Sequence, residues 1–537
     1  MPYLFCFLLL LVHSFAQAQY ISSVSSPNRD IPKIEDISIP QVRYAGQIHA
    51  DSLKSLLEIV ASSDMEGRET GQPGNQKAGD FLVKKISSFG LKPGPDGSYK
   101  QHVTFTFSKW TANEVFINET KYKHLWDYLV FPTDNGNVVF DADEIIFVGY
   151  GIDDPAYSDY KDISVEGKVI LINRGEPVTR DSVSIVSGSR QMSSWSDSDM
   201  KLKLIAARKY GAKAVLIIEN DIKKLLEENR RKILGSFLEL GDLNQKFYPY
   251  PPYIYISSTM AKNIIGTKDK QVIKARKKFQ RGKSYPVSLP GSIRVNLTKE
   301  TSLLEGNNIV GVIEGKSKRD EFIVVSAHYD HLGKRGDDIF HGADDNGSGT
   351  VSLLEMARIL KKATEEGYGP ERSVVFLWVT GEEKGLLGSK YYTEYPLFPL
   401  ANTMVNINVD MVGRVDEKYA QDSAYTYVIG SDRLSSELHE INENANQLYC
   451  QLTLDYTYNA ENDPNQYYFR SDHYNFAKNG IPAIFYFSGT HKDYHRPSDT
   501  VEKINYQKMS LIGKLIFHTM WELANRNERI VVDVPEK

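Results

Sequence analysis

Three apolar runs in the second half of the sequence end in residues that bind cations. The run 322–327 leads into His328-Tyr329-Asp330, the run 374–379 into Thr380-Gly381-Glu382-Glu383, and the run 405–409 into Asp410. Any one of these polar residues alone reads as an ordinary surface group. Open α/β sheets, however, place ligands outside the carboxyl ends of their strands, so three such runs deliver His, Glu-Glu and Asp to one rim. Two further clusters join them. His341-Gly342-Ala343-Asp344-Asp345-Asn346-Gly347-Ser348-Gly349 is a glycine-rich loop that offers carboxylates, and Gly489 to Thr500 holds His491, Asp493, Tyr494, His495 and Asp499. Seven of the twelve histidines lie between 328 and 495.

Imidazole and carboxylate without thiolate suit catalytic zinc, manganese or cobalt, not a structural cysteine site. One metal with three protein ligands would leave several of these acids unused. Two ions ~3.5–4 Å apart would use them, with one carboxylate shared and a further acid free to move a proton between water and the leaving group. The adjacent pair Glu382 and Glu383 fits that division, since neighbours in sequence can point in different directions.

The elements that must position these groups read as α/β. Strand-like runs at 322–327, 374–379, 405–409 and Ala483–Phe487 are separated or followed by helical patterns at 351–361 and Tyr506–Asn525. That alternation predicts a largely parallel mixed sheet with helices on both faces. In the helix 351–361, Leu353, Met356, Ala357 and Leu360 form the inward stripe. Helical stretches are also expected at 53–61 and 75–89. From about 126 to 300 the texture changes to strands at 145–148, 168–172 and 214–218, and no histidine occurs between 124 and 328. This stretch reads as an inserted domain, so the expected order is a signal peptide over 1–18, an extended leader over 19–44, a first part of the main domain over 45–125, the insert over 126–300, and the metal-bearing part over 301–537.

Composition narrows the class. With 41% hydrophobic and 25% charged residues in 537, the chain is that of a soluble globular protein, long enough for two to four domains at ~150 residues each. A net charge of −5 provides no footprint for nucleic acid, and the short basic run 274–283 reads as a solvated face. The apolar run 4–12 is too short to span a bilayer, and Ala16-Gln17-Ala18 fits a cleavage rule, although no Lys or Arg precedes the run. Export to the periplasm or exterior without a membrane anchor is the expectation. Of the two cysteines, Cys6 would leave with the signal, so Cys450 has no intrachain partner.

The motifs Ser326-Ala327-His328-Tyr329-Asp330, Gly342 to Gly349, Gly381 to Ser389, Asn408-Val409-Asp410-Met411 and Tyr494 to Thr500, in this order, resemble the co-catalytic di-zinc aminopeptidases. That family includes secreted bacterial leucyl aminopeptidases and, more distantly, glutamate carboxypeptidase and the transferrin receptor ectodomain. The resemblance covers about 45–125 and 300–525. It implies two zinc ions per chain, with His328 and Asp410 on one, Glu383 and His495 on the other, and Asp345 bridging. It also implies Glu382 as general base and then acid, Asp330 as the carboxylate orienting His328, and Tyr494 as a donor to the developing oxyanion. His331, His341 and His491 fall outside that ligand set. Arg470-Ser471-Asp472-His473 resembles a family segment beside the substrate cleft. The insert resembles a protease-associated domain, through Gly149-Tyr150-Gly151-Ile152, Gly167 to Leu171 and Gly211 to Val215.

The implied activity is a secreted exopeptidase acting on peptides, chiefly an aminopeptidase. A carboxypeptidase or dipeptidase is the nearest rival, because Arg470 could hold a terminal carboxylate. A single-zinc glutaminyl cyclase and a non-enzymatic binding protein are further alternatives, the latter calling for broken ligand positions that this sequence lacks.

Overall fold

Runs rich in Val, Ile and Phe become central strands because both faces of each are covered. A computed structural model gives the fold and describes residues 20–534 apart from 133, 162, 231–232, 234–236 and 243–247. The signal peptide expected over 1–18, Cys6 included, lies outside the described residues. The chain forms two units, one from the chain up to Thr104 with Glu305–Lys537, the other Phe105–Leu304.

In the first unit the strands Arg372–Val379, Lys318–His328, Thr403–Val409 and Ala483–Phe487 are neighbours in that order and mutually parallel. Their carboxyl ends therefore share one rim, which carries His328, Glu382, Glu383 and Asp410. The two-residue period splits each strand between two cores. Arg372–Val379 sends Val374, Phe376 and Trp378 to one face and Val375, Leu377 and Val379 to the other. Each such side chain, fully buried, contributes about 1.5–3 kcal/mol. Antiparallel strands flank the parallel group, so the sheet is mixed.

The helix Gly349–Ala363 packs on the first of these cores, with Tyr506–Asn525 beside it. The expected stripe of Leu353, Met356, Ala357 and Leu360 is buried, but so are Val351, Leu354 and Ile359. The helix is enclosed nearly all round, as its position between the sheet and the outer helices requires. The helix expected at 75–89 spans Pro73–Ser88, begun two residues earlier by a proline in its first turn, where the missing N–H costs nothing.

Residues 20–39 are held down along their length. Val24–Ser25 pairs antiparallel with Thr453–Asp455 at the sheet edge. Beyond it the Ile34 N–H donates to Leu448 O at 2.8 Å, and Gln451 Nε2 donates to Ile31 O at 2.8 Å. This strap occupies hydrogen-bonding groups that an open edge would present to another chain.

The second unit, described by itself, has its own set of parallel strands. Val138–Gly149, Val169–Asn173, Ala214–Glu219 and Tyr253–Ser257 are parallel neighbours. Val169 and Leu171 face one core, Ile170 and Ile172 the other. The basic run falls on the helix Asp269–Phe279, whose Val272, Ala275 and Phe279 are buried while Lys270, Lys274 and Lys277 are exposed.

Two buried imidazoles of the first unit tie its stability to pH. Burial pushes His473 and His518 down from 6.5 to about 3. His518 lies flat on Tyr449, ring centroids 4.1 Å apart. The folded-state value lies below the unfolded one, so this stabilisation is whole above pH ~6.5 and is lost as the pH falls towards 3, at up to about 1.4 kcal/mol per pH unit per ring. His518→Phe is expected to flatten the decline between pH 7 and 5, measured by denaturant unfolding. An unchanged slope rules the mechanism out.

Candidate metal centre

His328 is the last residue of its strand, and its Nδ1 lies 3.1 Å from Asp330 O. That contact turns the other ring nitrogen into the rim. From there His328 Nε2 is 3.3 Å from Asp410 Oδ1, 3.5 Å from Asp345 Oδ1 and 3.8 Å from Glu382 Oε2. On the opposite side His495 Nε2 is 3.0 Å from Asp345 Oδ2 and 3.2 Å from Glu383 Oε2. The two oxygens of Asp345 thus face two different groups of donors. Two clusters whose ligand atoms lie within 4.8 Å of one another can each hold a metal ion: His328 with Glu382 and Asp410, and His331 with Asp345 and Glu383.

The surrounding bonds explain why these side chains converge. Asp330 is fully buried, and its two oxygens accept from the N–H groups of Glu382 (3.2 Å) and Glu383 (3.3 Å) and from Thr70 Oγ1 (2.9 Å). It therefore fixes the Glu-Glu turn relative to His328. Asp499 Oδ2 accepts from the N–H groups of Asp344 (3.0 Å) and Asp345 (3.2 Å). Asn346 Nδ2 donates to Val409 O at 2.9 Å, fastening the glycine-rich loop to the Asp410 strand. Ser471 Oγ donates to Asp410 Oδ2 at 2.8 Å and accepts from Asn408 Nδ2 at 2.8 Å. Such outer bonds hold ligating carboxylates in place.

Arg68 is the largest support that sequence reading missed. It is fully buried and donates to the carbonyls of Tyr329, Val60, His341 and Gly342 at 2.7–2.9 Å. Burial lowers its pKa from 12.5 to about 10, and it stays charged at neutral pH. One cation thus joins the His328 strand end to the Asp345 loop.

The candidate ligands divide cleanly in space. His328, Asp345, Glu382, Glu383, Asp410 and His495 come together. His331, set outside the ligand set by sequence reading, stands in the second cluster with Nδ1 2.8 Å from Glu383 Oε1. His341 instead turns its Nδ1 to Ala61 O at 3.0 Å, and His491 faces Asp344 Oδ2 at 3.3 Å, so neither joins the clusters. Tyr494 stacks on His495 with ring centroids 3.8 Å apart.

The electrostatics favour cations. Burial, with Glu383, Asp410 and Asp472 nearby, raises Glu382 well above the ordinary carboxylate range against the pull of His328. Burial also opposes ionisation of Glu383, but hydrogen bonds from His331 and His495 hold it well below that range. Burial and the Asp345, Glu383 and Glu382 charges push the Tyr494 hydroxyl up, keeping it a proton donor. Asp410 Oδ1 and His331 Nε2 are buried without a hydrogen-bond partner. Buried carboxylates converging with unpartnered donor atoms, and no thiolate among them, fit two divalent cations.

Residues 308–520 match the model of Peptidase family M28. Aminopeptidase YwaD of Bacillus subtilis is 30% identical over 240 residues, covering 43% of this chain and 47% of that protein. Leucine aminopeptidase 1 of Pyrenophora tritici-repentis is 28% identical over 230 residues, 41% of this chain and 56% of that one. The chain thus spans about half the length of these curated relatives. Among solved structures, an aminopeptidase from Aneurinibacillus sp. strain AM-1 superposes with a TM-score of 0.51 at 19% identity, over 93% of this chain and 100% of that one. Residues 308–520 thus carry the sequence pattern of the M28 peptidases, and the backbone shares the fold of that solved aminopeptidase along most of the chain.

Proposed function

We propose that the chain is an exported zinc-dependent exopeptidase that removes N-terminal residues from peptides. The observation that carries this is Asp345, whose two oxygens face His328 on one side and His495 on the other. His328 and Asp410 would hold one zinc, Glu383 and His495 the second, and Asp345 both. His331 would orient Glu383 by its 2.8 Å hydrogen bond. When bound, the two ions would polarise the scissile carbonyl and make a water acidic near neutral pH.

The chain's own groups supply the rest. Glu382, whose Oε2 stands 3.8 Å from His328 Nε2 at the rim, accepts a proton from the attacking water and delivers it to the departing amine. Asp330 keeps the Glu-Glu turn in register with His328, and the Tyr494 hydroxyl donates to the oxygen on which negative charge grows. The insert expected over 126–300 falls within the unit Phe105–Leu304 and is read as a protease-associated module. Among the described residues no helix is long and apolar enough to cross a membrane.

An aminopeptidase needs a free α-amine. Leucyl anilide should therefore be hydrolysed by the zinc-loaded protein, and N-acetyl-leucyl anilide at under a hundredth of that rate, on the order of what loss of a charged anchor costs. Equal turnover of both would refute an amine-anchored reading. A single-zinc cyclase would leave the second cluster without a task.

A further inference from the structure

A cation stands in the slot beside the metal centre, and nothing in the chemistry above uses it. Glu382 and Asp410 form the metal end of the slot, Tyr467, Phe485 and Phe487 form walls, and Arg470 lines it with them. The guanidinium carbon of Arg470 lies 4.8 Å from the centroid of the Tyr467 ring. Among the described residues its side chain makes one hydrogen bond, a long one of 3.4 Å from Nη1 to Asn465 O. No carboxylate among the described residues pairs with it, whereas Arg372 pairs with Glu321 and Arg414 with Asp493. Arg470 is also exposed, so its charge is solvated and available.

Its backbone is nevertheless held in place. The next residue, Ser471, is bonded to Asp410 and Asn408, and the Arg470 N–H donates to Tyr467 O at 3.1 Å. The backbone that carries Arg470 is therefore anchored beside the candidate ligands. With divalent ions on the acids at the metal end, their negative charge would be offset, and Arg470 would be the positive group of a slot whose other walls are aromatic rings, Met411, Ser471 and Thr490. A guanidinium presents a planar fork of donors that matches a carboxylate.

We propose that Arg470 binds a carboxylate of the substrate and so makes this enzyme select for an anion at that place. The proposal rests on the exopeptidase reading. Two sources supply the same chemistry: the acidic side chain of an N-terminal Glu or Asp, or the free C-terminal carboxylate of a dipeptide.

Matched pairs that differ by one negative charge test it, with native protein, Arg470→Met and Arg470→Lys, all zinc-loaded. The first pair is glutamyl and glutaminyl anilide, the second leucyl-glycine and leucyl-glycinamide. In at least one pair the native kcat/KM for the charged member should exceed that for the neutral one by about tenfold or more, the scale of a charge-assisted hydrogen bond. Arg470→Met should abolish that ratio, Arg470→Lys should restore part of it, and leucyl anilide turnover should stay within about threefold in both. The pair that responds identifies the source. Ratios near one in the native protein, or ratios untouched by Arg470→Met, overturn the proposal, as does an equal loss on every substrate, which would mean a structural role.

Binding of free glutamate against glutamine, by calorimetry on the same proteins, and of the two leucyl compounds as ligands, gives the same comparison without turnover. Absence of hydrolysis with the charge preference intact would count against the exopeptidase reading alone. Hydrolysis without any preference would count against Arg470 alone.

Discussion

Glu382→Ala is expected to keep two zinc ions per chain and to lose about 10²–10⁴-fold in kcat, the usual worth of a positioned general acid–base. The side chain lies close to the first cluster, 3.8 Å from His328 Nε2 and grouped with Asp410. Two roles are therefore geometrically open to it, ligand or proton carrier, and metal content separates them. Elemental analysis of the variant beside steady-state rates on leucyl anilide makes the distinction. A variant that hydrolyses at the parental rate removes the base assignment. A variant that keeps one ion in place of two makes Glu382 a ligand.

Asp345→Ala should act on both ions at once. His328 and Asp410 would remain for one ion and Glu383 and His495 for the other, two protein ligands each, where catalytic zinc ordinarily has three. Zinc titration monitored by equilibrium dialysis should show both sites weakened together, with activity falling below detection. Two ions still tightly held, or one lost and the other unaffected, would contradict a shared carboxylate.

Much of this centre was legible because buried parallel strands leave an unmistakable trace. The run 374–379 is apolar throughout, since both of its faces are covered, and the first charged residues after it must lie at the rim. His328, Glu382, Glu383 and Asp410 could be placed by that rule alone. Asp345 and His495 sit in loops, where position says little, and their convergence was an expectation drawn from resemblance. The supports were harder. Arg68 sits in a polar stretch between helices, with no periodicity around it, and its four acceptors are carbonyls at 60, 329, 341 and 342. Contacts that distant in sequence leave no local pattern. Thr70 and Ser471 were hidden for the same reason, each being a small hydroxyl bonded to an acid far along the chain. His331 was legible as a histidine three positions past His328, but its direction depends on how the backbone turns after the strand.

The strap over 20–39 was read as an extended leader, and its docking could not be foreseen. Its bonds go mostly to backbone groups and to polar side chains such as Gln447 and Gln451, which carry no mark of their partners. The long flanking strands Lys100–Ile117 and Val287–Ile313 likewise escaped, because each mixes charged and apolar residues over its length.

The unit that carries the metal centre is discontinuous: it needs the chain before Thr104 and the chain after Glu305. On a ribosome, Phe105–Leu304 is complete and can fold while its host still lacks a sheet. Arg68 must wait for carbonyls at 329 and 342, and Asp345 for His495. A chain stopped before His495 accordingly lacks one of the donors grouped around Asp345.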